Sequence, residues 1–438
     1  MYAVPLKSYV WHPNTQMGEW NNFDRIISAK GMWLTDSNGK NMIDAVASMW
    51  CNVWGHGRPE LIKALHDQSK KLQHASMFNL TNEPAETLAT SLIKINPHMN
   101  RVFFSDNGSS AMEIAFKIAL QYWKNNGQHK NVIATLENGY HGDTFGAMSV
   151  GYVPKFFGNF KEQLFHTVRL PVPRTYGTAK QHLADYCLEH IEQELERNDS
   201  IAAFVMESGA QVAGGAVIYP EKFQKKISKI CKNNDVLFIL DEVATGFGRL
   251  GSMTEYSSQD SKPDIVSFGK MLTGGYLSMA ATLTTKKIYD SFLGGFDESR
   301  HLFHGHTYTG NPLAAAVSNA NLKLYKQKNL IKKIQKTAKI FQKHIDGLAS
   351  LKLAGDIRHK GMLMGIELVR DKKDKVPVSP KTSINKIIYT QGKKNGIYLR
   401  TLGNIVLLVP PLAISEGELE LLITRAAKTI RSSERLLA

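Results

Sequence analysis

Five short apolar runs, each breaking into a loop of glycines and polar residues before a helical pattern begins, constrain this chain most. They span residues 101–105, 132–135, 201–206, 236–240 and 265–268. Between them apolar residues recur at helical spacing, as at Met112, Ala115, Phe116, Ala119, Tyr122 and Trp123. Strands alternating with helices predict an α/β fold with a mostly parallel sheet covered on both faces. Ligands of such sheets sit beyond the carboxyl ends of the strands. Gly108, Tyr140, Glu207, Asp241 and Lys270 each follow one run, so five loops are expected to converge on one edge.

At 438 residues the chain is long enough for a large core with an appended lobe. We expect the large domain over 58–318 and a smaller α+β domain over 319–438, with residues 1–57 as an N-terminal segment of the small lobe. Residues 1–30 read as loop-rich, and Asn38-Gly39 predicts a two-residue hairpin turn. The aromatic, glycine-closed stretch 41–57 reads either as a buried connection or as a pocket wall.

The formal charge of +15 raises nucleic acid as a partner. The lysines are dispersed over amphipathic patterns, however, and no nucleic-acid-binding motif accompanies them. A basic solvated surface is the expectation. No apolar run approaches the roughly 20 residues that span a bilayer, and the N-terminus lacks the pattern of a secretory signal. Cys51, Cys187 and Cys231 offer neither a disulfide framework nor metal-ligand spacing. A cytoplasmic protein without metal or membrane contact is expected.

Lys270 follows an apolar run and Gly269, and precedes Gly274-Gly275. It reads either as a strand-end cap in water or as an amine desolvated enough to attack a carbonyl. The stretch Asp106-Asn-Gly-Ser-Ser110 reads either as an anion cradle at a helix N-terminus or as a plain N-cap. If Lys270 holds an aldehyde cofactor with a phosphate and a pyridine ring, the other loops have complementary roles. Asp241 suits the ring nitrogen. Gly108, Ser109 and Thr307 suit the phosphate, and Tyr140 and Val243 the two ring faces. Asp241 alone also fits a Mg²⁺-binding acid, but no Gly-Lys-Ser/Thr loop accompanies it.

Five segments then carry a resemblance: Asp106–Glu113, Gly139–Thr144, Asp241–Arg249, Phe268–Gly275 and His304–Asn311. In order and spacing they resemble the class III pyridoxal-phosphate-dependent aminotransferases, over nearly the whole chain. Trp11–Met17, Tyr140–Val150, Arg400–Gly403 and Pro410-Pro411 resemble the branch that makes 7,8-diaminopelargonate in biotin synthesis. The resemblance implies a fold-type I homodimer with shared active sites and small-molecule substrates. It implies that Lys270 holds the cofactor through a Schiff base and then moves protons, and that Thr307 reaches the partner subunit's phosphate site. It implies that Arg400 pairs with a substrate carboxylate, and that Trp50, Asp143, Arg249 and Gly305 shape the substrate pocket. A pairing of Glu207 with Arg400 is a further expectation. The implied reaction is amino transfer to 7-keto-8-aminopelargonate, with S-adenosylmethionine or lysine as donor. Asn14, Met49, His306, Leu402 and Leu407 depart from the adenosylmethionine-using relatives and leave the donor open. The alternatives are another ω-aminotransferase of this class, a cofactor-binding protein without catalysis, or a nucleic-acid binder.

Overall fold

Seven strands form one large sheet in the computed structural model, which describes residues 8–20, 23–173, 180–374, 376–379 and 382–437. In chain order they are β1 (Arg101–Ser105), β2 (Val132–Leu136), β3 (Thr167–Leu170), β4 (Ile201–Glu207), β5 (Leu237–Asp241), β6 (Ile265–Phe268) and β7 (Ala280–Thr284). Their spatial order is β1-β7-β6-β5-β4-β2-β3. Neighbours from β6 to β3 run parallel, while β7 runs antiparallel to both β6 and β1. The five expected strands are present and end on one edge.

Two strands of this sheet escaped the sequence reading. β7, Ala-Ala-Thr-Leu-Thr, is wholly buried yet built from small and hydroxyl residues, so no apolar run announces it. Its Thr282 hydroxyl donates to Ala111 O at 2.8 Å, which makes a buried threonine tolerable there. The chain enters β7 without a crossover helix. A short 3-10 turn, Lys270–Thr273, ends on Gly274 and Gly275 at φ 64° and 89°, and this returns the chain antiparallel. β3 is only four residues long and half polar.

The helix Gly108–Asn125 lies against the sheet. Asn107 caps it by accepting from Ser110 N at 2.9 Å. It buries Met112, Ala115, Phe116, Ala119, Tyr122 and Trp123, the face predicted from spacing. Trp123 Nε1 donates to Ala202 O at 2.7 Å, so its polar tip is satisfied inside the core.

Two smaller sheets flank this core. Ile26–Lys30, Trp33–Asp36 and Asn41–Asp44 form an antiparallel meander, and Ile397–Tyr398 joins it in parallel beside Asn41–Asp44. Residues 26–30 are therefore strand rather than loop; their side chains are mostly exposed, which hid the alternation. The hairpin turn also differs from expectation. Asp36 N donates to Lys40 O, which leaves the three residues 37–39 as the loop, and of Asn38 and Gly39 only the glycine has positive φ. The Asp36 carboxylate accepts from Asn38 N and Lys40 N at 2.9 Å each, which favours a type I turn closed by a left-handed glycine. The other sheet orders Ala354–Lys360, Leu363–Asp371, Ile405–Leu408 and Arg400–Leu402, with Arg400 on its edge strand opposite Leu407. Among the described residues no helix is long and apolar enough to cross a membrane.

Candidate active site

The register of the central strands sets two carboxylates side by side. Glu207 pairs with Asp241, and Asp241 with Ser267, so their side chains leave the sheet on the same face. Asp241 Oδ1 accepts from Val243 N at 2.9 Å. Its Oδ2 lies 2.8 Å from His141 Nδ1. A carboxylate only accepts, so that ring nitrogen carries the proton. His141 Nε2 is buried and has no partner. Glu207 accepts from Tyr140 N at 3.2 Å and Val212 N at 2.9 Å. Burial, with Asp241 beside it, pushes the Glu207 carboxyl up to about 8.

Lys270 stands two residues beyond β6, itself in the left-handed region at φ 40°. The turn that carries it is pinned by buried Asn321, which donates to Met271 O and Leu272 O at 2.8 and 2.9 Å. Its ammonium makes no ion pair among the described residues; Nζ lies 5.2 Å from the centre of the Trp50 ring. Burial lowers its pKa, opposed by the charges of Asp241 and Glu207. The amine is thus drawn toward the neutral, nucleophilic form.

These groups line one cavity of about 710 Å³ together with Gly108, Ser109, Tyr140, Asp143, Val243 and Trp50. One end is the N-terminus of helix Gly108–Asn125, where free N–H groups and the helix dipole favour an anion. The backbone there has no room for side chains. A Cβ on Gly108 would lie 2.5 Å from Val243 Cγ1, and one on Gly142 would lie 2.2 Å from Ser109 Oγ. The residues fit pyridoxal phosphate. Gly108 and Ser109 would hold the phosphate, Asp241 the ring nitrogen, Tyr140 and Val243 the faces, and Lys270 the aldehyde carbon.

A second cavity of about 530 Å³ shares Trp50, Tyr140, Asp143 and Lys270 with the first and adds Arg400. Asn14, Met49 and Leu402 line it too, beside Arg400. Leu407 lies buried instead. The Arg400 guanidinium contacts Met49 Sδ at 3.2 Å. It makes no ion pair with Glu207, whose two oxygens are taken by backbone N–H groups, so that expected pairing is not formed.

The stretch 41–57 is a pocket wall of unusual backbone. Ala47, Ser48, Met49 and Trp50 have φ of 47°, 45°, 76° and 70°, a complete left-handed turn without a glycine. Such a turn costs about 1–2 kcal/mol per residue for L-amino acids, so surrounding bonds must hold it.

Three predicted residues stand apart from both cavities. Arg249 is buried, and its Nη1 donates to Met362 O at 3.1 Å and Pro410 O at 2.7 Å, tying two segments together behind the pocket. Gly305 and Thr307 are exposed in this chain. His141 was missed as a site residue; its adjacency to Tyr140 in a glycine-rich loop was the available signal.

The aminotransferase class-III family profile matches residues 18–430. The chain belongs to the class III aminotransferases. It is 41% identical to the adenosylmethionine-8-amino-7-oxononanoate aminotransferase of Staphylococcus aureus, covering 98% of each chain. The crystal structure of the enzyme of that name from Methanocaldococcus jannaschii superposes with a TM-score of 0.92 at 40% identity, covering 97% of each chain. A PLP-bound amine transaminase from an uncultivated Pseudomonas species gives a TM-score of 0.91 at 29% identity, covering 98% of this chain and all of that one. The fold is that of fold-type I transferases, and this aminotransferase depends on pyridoxal phosphate.

Proposed function

We propose that this aminotransferase transfers an amino group to 8-amino-7-oxononanoate, giving 7,8-diaminopelargonate for biotin synthesis. The observation that carries the reading is about 40% identity over nearly the full length of relatives bearing that activity in their names. Arg400, at the wall of the second cavity, supports it: a planar bidentate cation suits the carboxylate of such an acceptor.

Bound pyridoxal phosphate supplies an aldehyde carbon to carry the amino group and a ring that withdraws electrons from it. The protein's own groups do the rest. Asp241, oriented by Val243 N–H and His141, keeps a proton on the ring nitrogen. Lys270 Nζ takes the proton from the amino-bearing carbon of the donor and returns one to the acceptor carbon. Trp50 and Tyr140 exclude water beside it.

We also propose a cytoplasmic homodimer. Exposed Phe78, Phe303 and Tyr308 surround exposed Gly305 and Thr307, a patch that supports a partner subunit taking Thr307 into its phosphate site. Three free cysteines support the compartment. The donor is S-adenosylmethionine or lysine, chosen around Asn14, Met49 and Leu402. Loss of the cofactor's visible band on mixing with each donor separately tests this. Reaction with one of them, followed by recovery of the band on adding 8-amino-7-oxononanoate, is expected. Reaction only with a simple ω-amine refutes the biotin reading.

A further inference from the structure

We propose that Asp44 is a positioning residue for the amino-transfer reaction, locking the left-handed turn that carries Met49 and Trp50 into the site. Asp44 is buried at the end of Asn41–Asp44 and touches neither cavity. Its Oδ1 accepts from Val46 N at 3.2 Å, the residue that opens the turn. Its Oδ2 accepts from Ser48 Oγ at 2.8 Å, inside the turn, and lies 3.2 Å from His56 Nε2. One side chain therefore grips the turn at two points and is itself held from a third.

Backbone bonds close the turn, Trp50 N to Val46 O at 2.7 Å and Cys51 N to Ala47 O at 3.1 Å, but a right-handed turn would make the same bonds, so the grip is needed to hold its hand. Four consecutive L-residues at positive φ would relax toward right-handed conformations without an external tie. What the turn presents is functional. Trp50 places its ring 5.2 Å from Lys270 Nζ, and Met49 Sδ lies 3.2 Å from Arg400 Nη1. Met49 also divides two spaces: it lines the Arg400 cavity on one side and a cavity of about 730 Å³, walled by Trp20, Phe23 and Tyr389, on the other. A relaxed turn would withdraw Met49 and let the two spaces merge. Substrate selection would then change while the cofactor cradle at Gly108, Ser109 and Asp241 stays as it is.

The inference rests on the aminotransferase chemistry and not on the identity of the acceptor. Steady-state kinetics of the holoenzyme, wild type against Asp44→Asn, test it with 8-amino-7-oxononanoate as acceptor. Should the wild type not turn over that acceptor, the substrate reading fails and the same comparison runs with pyruvate and a simple ω-amine. Cofactor absorbance per protomer should be unchanged. The kcat/KM should fall about tenfold, the scale of one lost charge-assisted hydrogen bond, with KM rising more than kcat falls. Activity toward bulky amines should fall less than that. Adding Ala47→Gly and Ser48→Gly, which adopt positive φ freely, should restore at least half of the loss on a logarithmic scale. An unchanged kcat/KM, a loss matched by lost cofactor, or no rescue by the glycines overturns the proposal. If Asp44→Asn does not fold, Ser48→Ala decides: a two- to fivefold fall in kcat/KM supports it, and no change refutes it.

Discussion

Replacing Asp241 by Asn isolates the charge beneath the cofactor ring from the shape around it. The amide oxygen still accepts from Val243 N, now at 2.9 Å. The amide nitrogen would face His141 Nδ1, which then accepts by moving its proton to Nε2. That atom is buried without a partner, so the tautomer change breaks no existing bond. The fold should therefore survive while the negative charge is lost. Two effects follow. A charge-assisted hydrogen bond of this kind contributes about 1.5–3 kcal/mol, so cofactor affinity should fall roughly 10- to 150-fold. Removing one preorganised electrostatic group in a dry site also costs about 2.7–4 kcal/mol in the barrier, a further 10²–10³ in rate. Asp241 in addition counters the burial that lowers the Lys270 pKa, so the amine should titrate lower in the variant. Stopped-flow half-reactions at saturating cofactor separate rate from affinity. A rate within threefold of wild type, with normal cofactor content, would refute the assignment of Asp241.

Gly142→Ala should lower cofactor affinity at least tenfold with little loss of folded protein, because its Cβ would meet Ser109 Oγ at 2.2 Å and the backbone sits at φ 124°; cofactor titration by fluorescence checks this. Glu207 gives a pH prediction. Its folded pKa of about 8 lies above the ordinary 4.5, so the folded state keeps a proton that the unfolded chain releases. That contribution is complete below about pH 4.5 and is lost as pH rises through 8, at up to roughly 1.4 kcal/mol per pH unit between. Urea midpoints of the cofactor-free protein should fall more steeply from pH 5 to pH 8 in wild type than in Glu207→Gln, and parallel curves would contradict it.

The sequence announced the catalytic edge because each strand that builds it is an apolar run ending on a chemically distinctive residue. Lys270, Asp241 and Gly108 were legible for that reason, and the structure brings them into one cavity. β7 was not, since alanine and threonine acquire their strand role from burial between β1 and β6 rather than from local pattern. The left-handed turn at 47–50 was equally hidden. No glycine marks it, and its ties to Asp44 come from side chains whose reach depends on the folded backbone. Arg249 reads as a pocket residue by resemblance; its Nη1 donates to the Met362 and Pro410 carbonyls, while its Nε and Nη2 are buried without a partner among the described residues. Thr307 was expected to serve a partner subunit; it is exposed in its own chain.

Borohydride reduction of the purified holoenzyme followed by peptide mapping decides which amine holds the cofactor. A pyridoxyl group fixed to Lys270 and to no other lysine is expected, with a folded, colourless Lys270→Ala that traps none. A label on another residue, or an equal label in the Lys270→Ala protein, would contradict it.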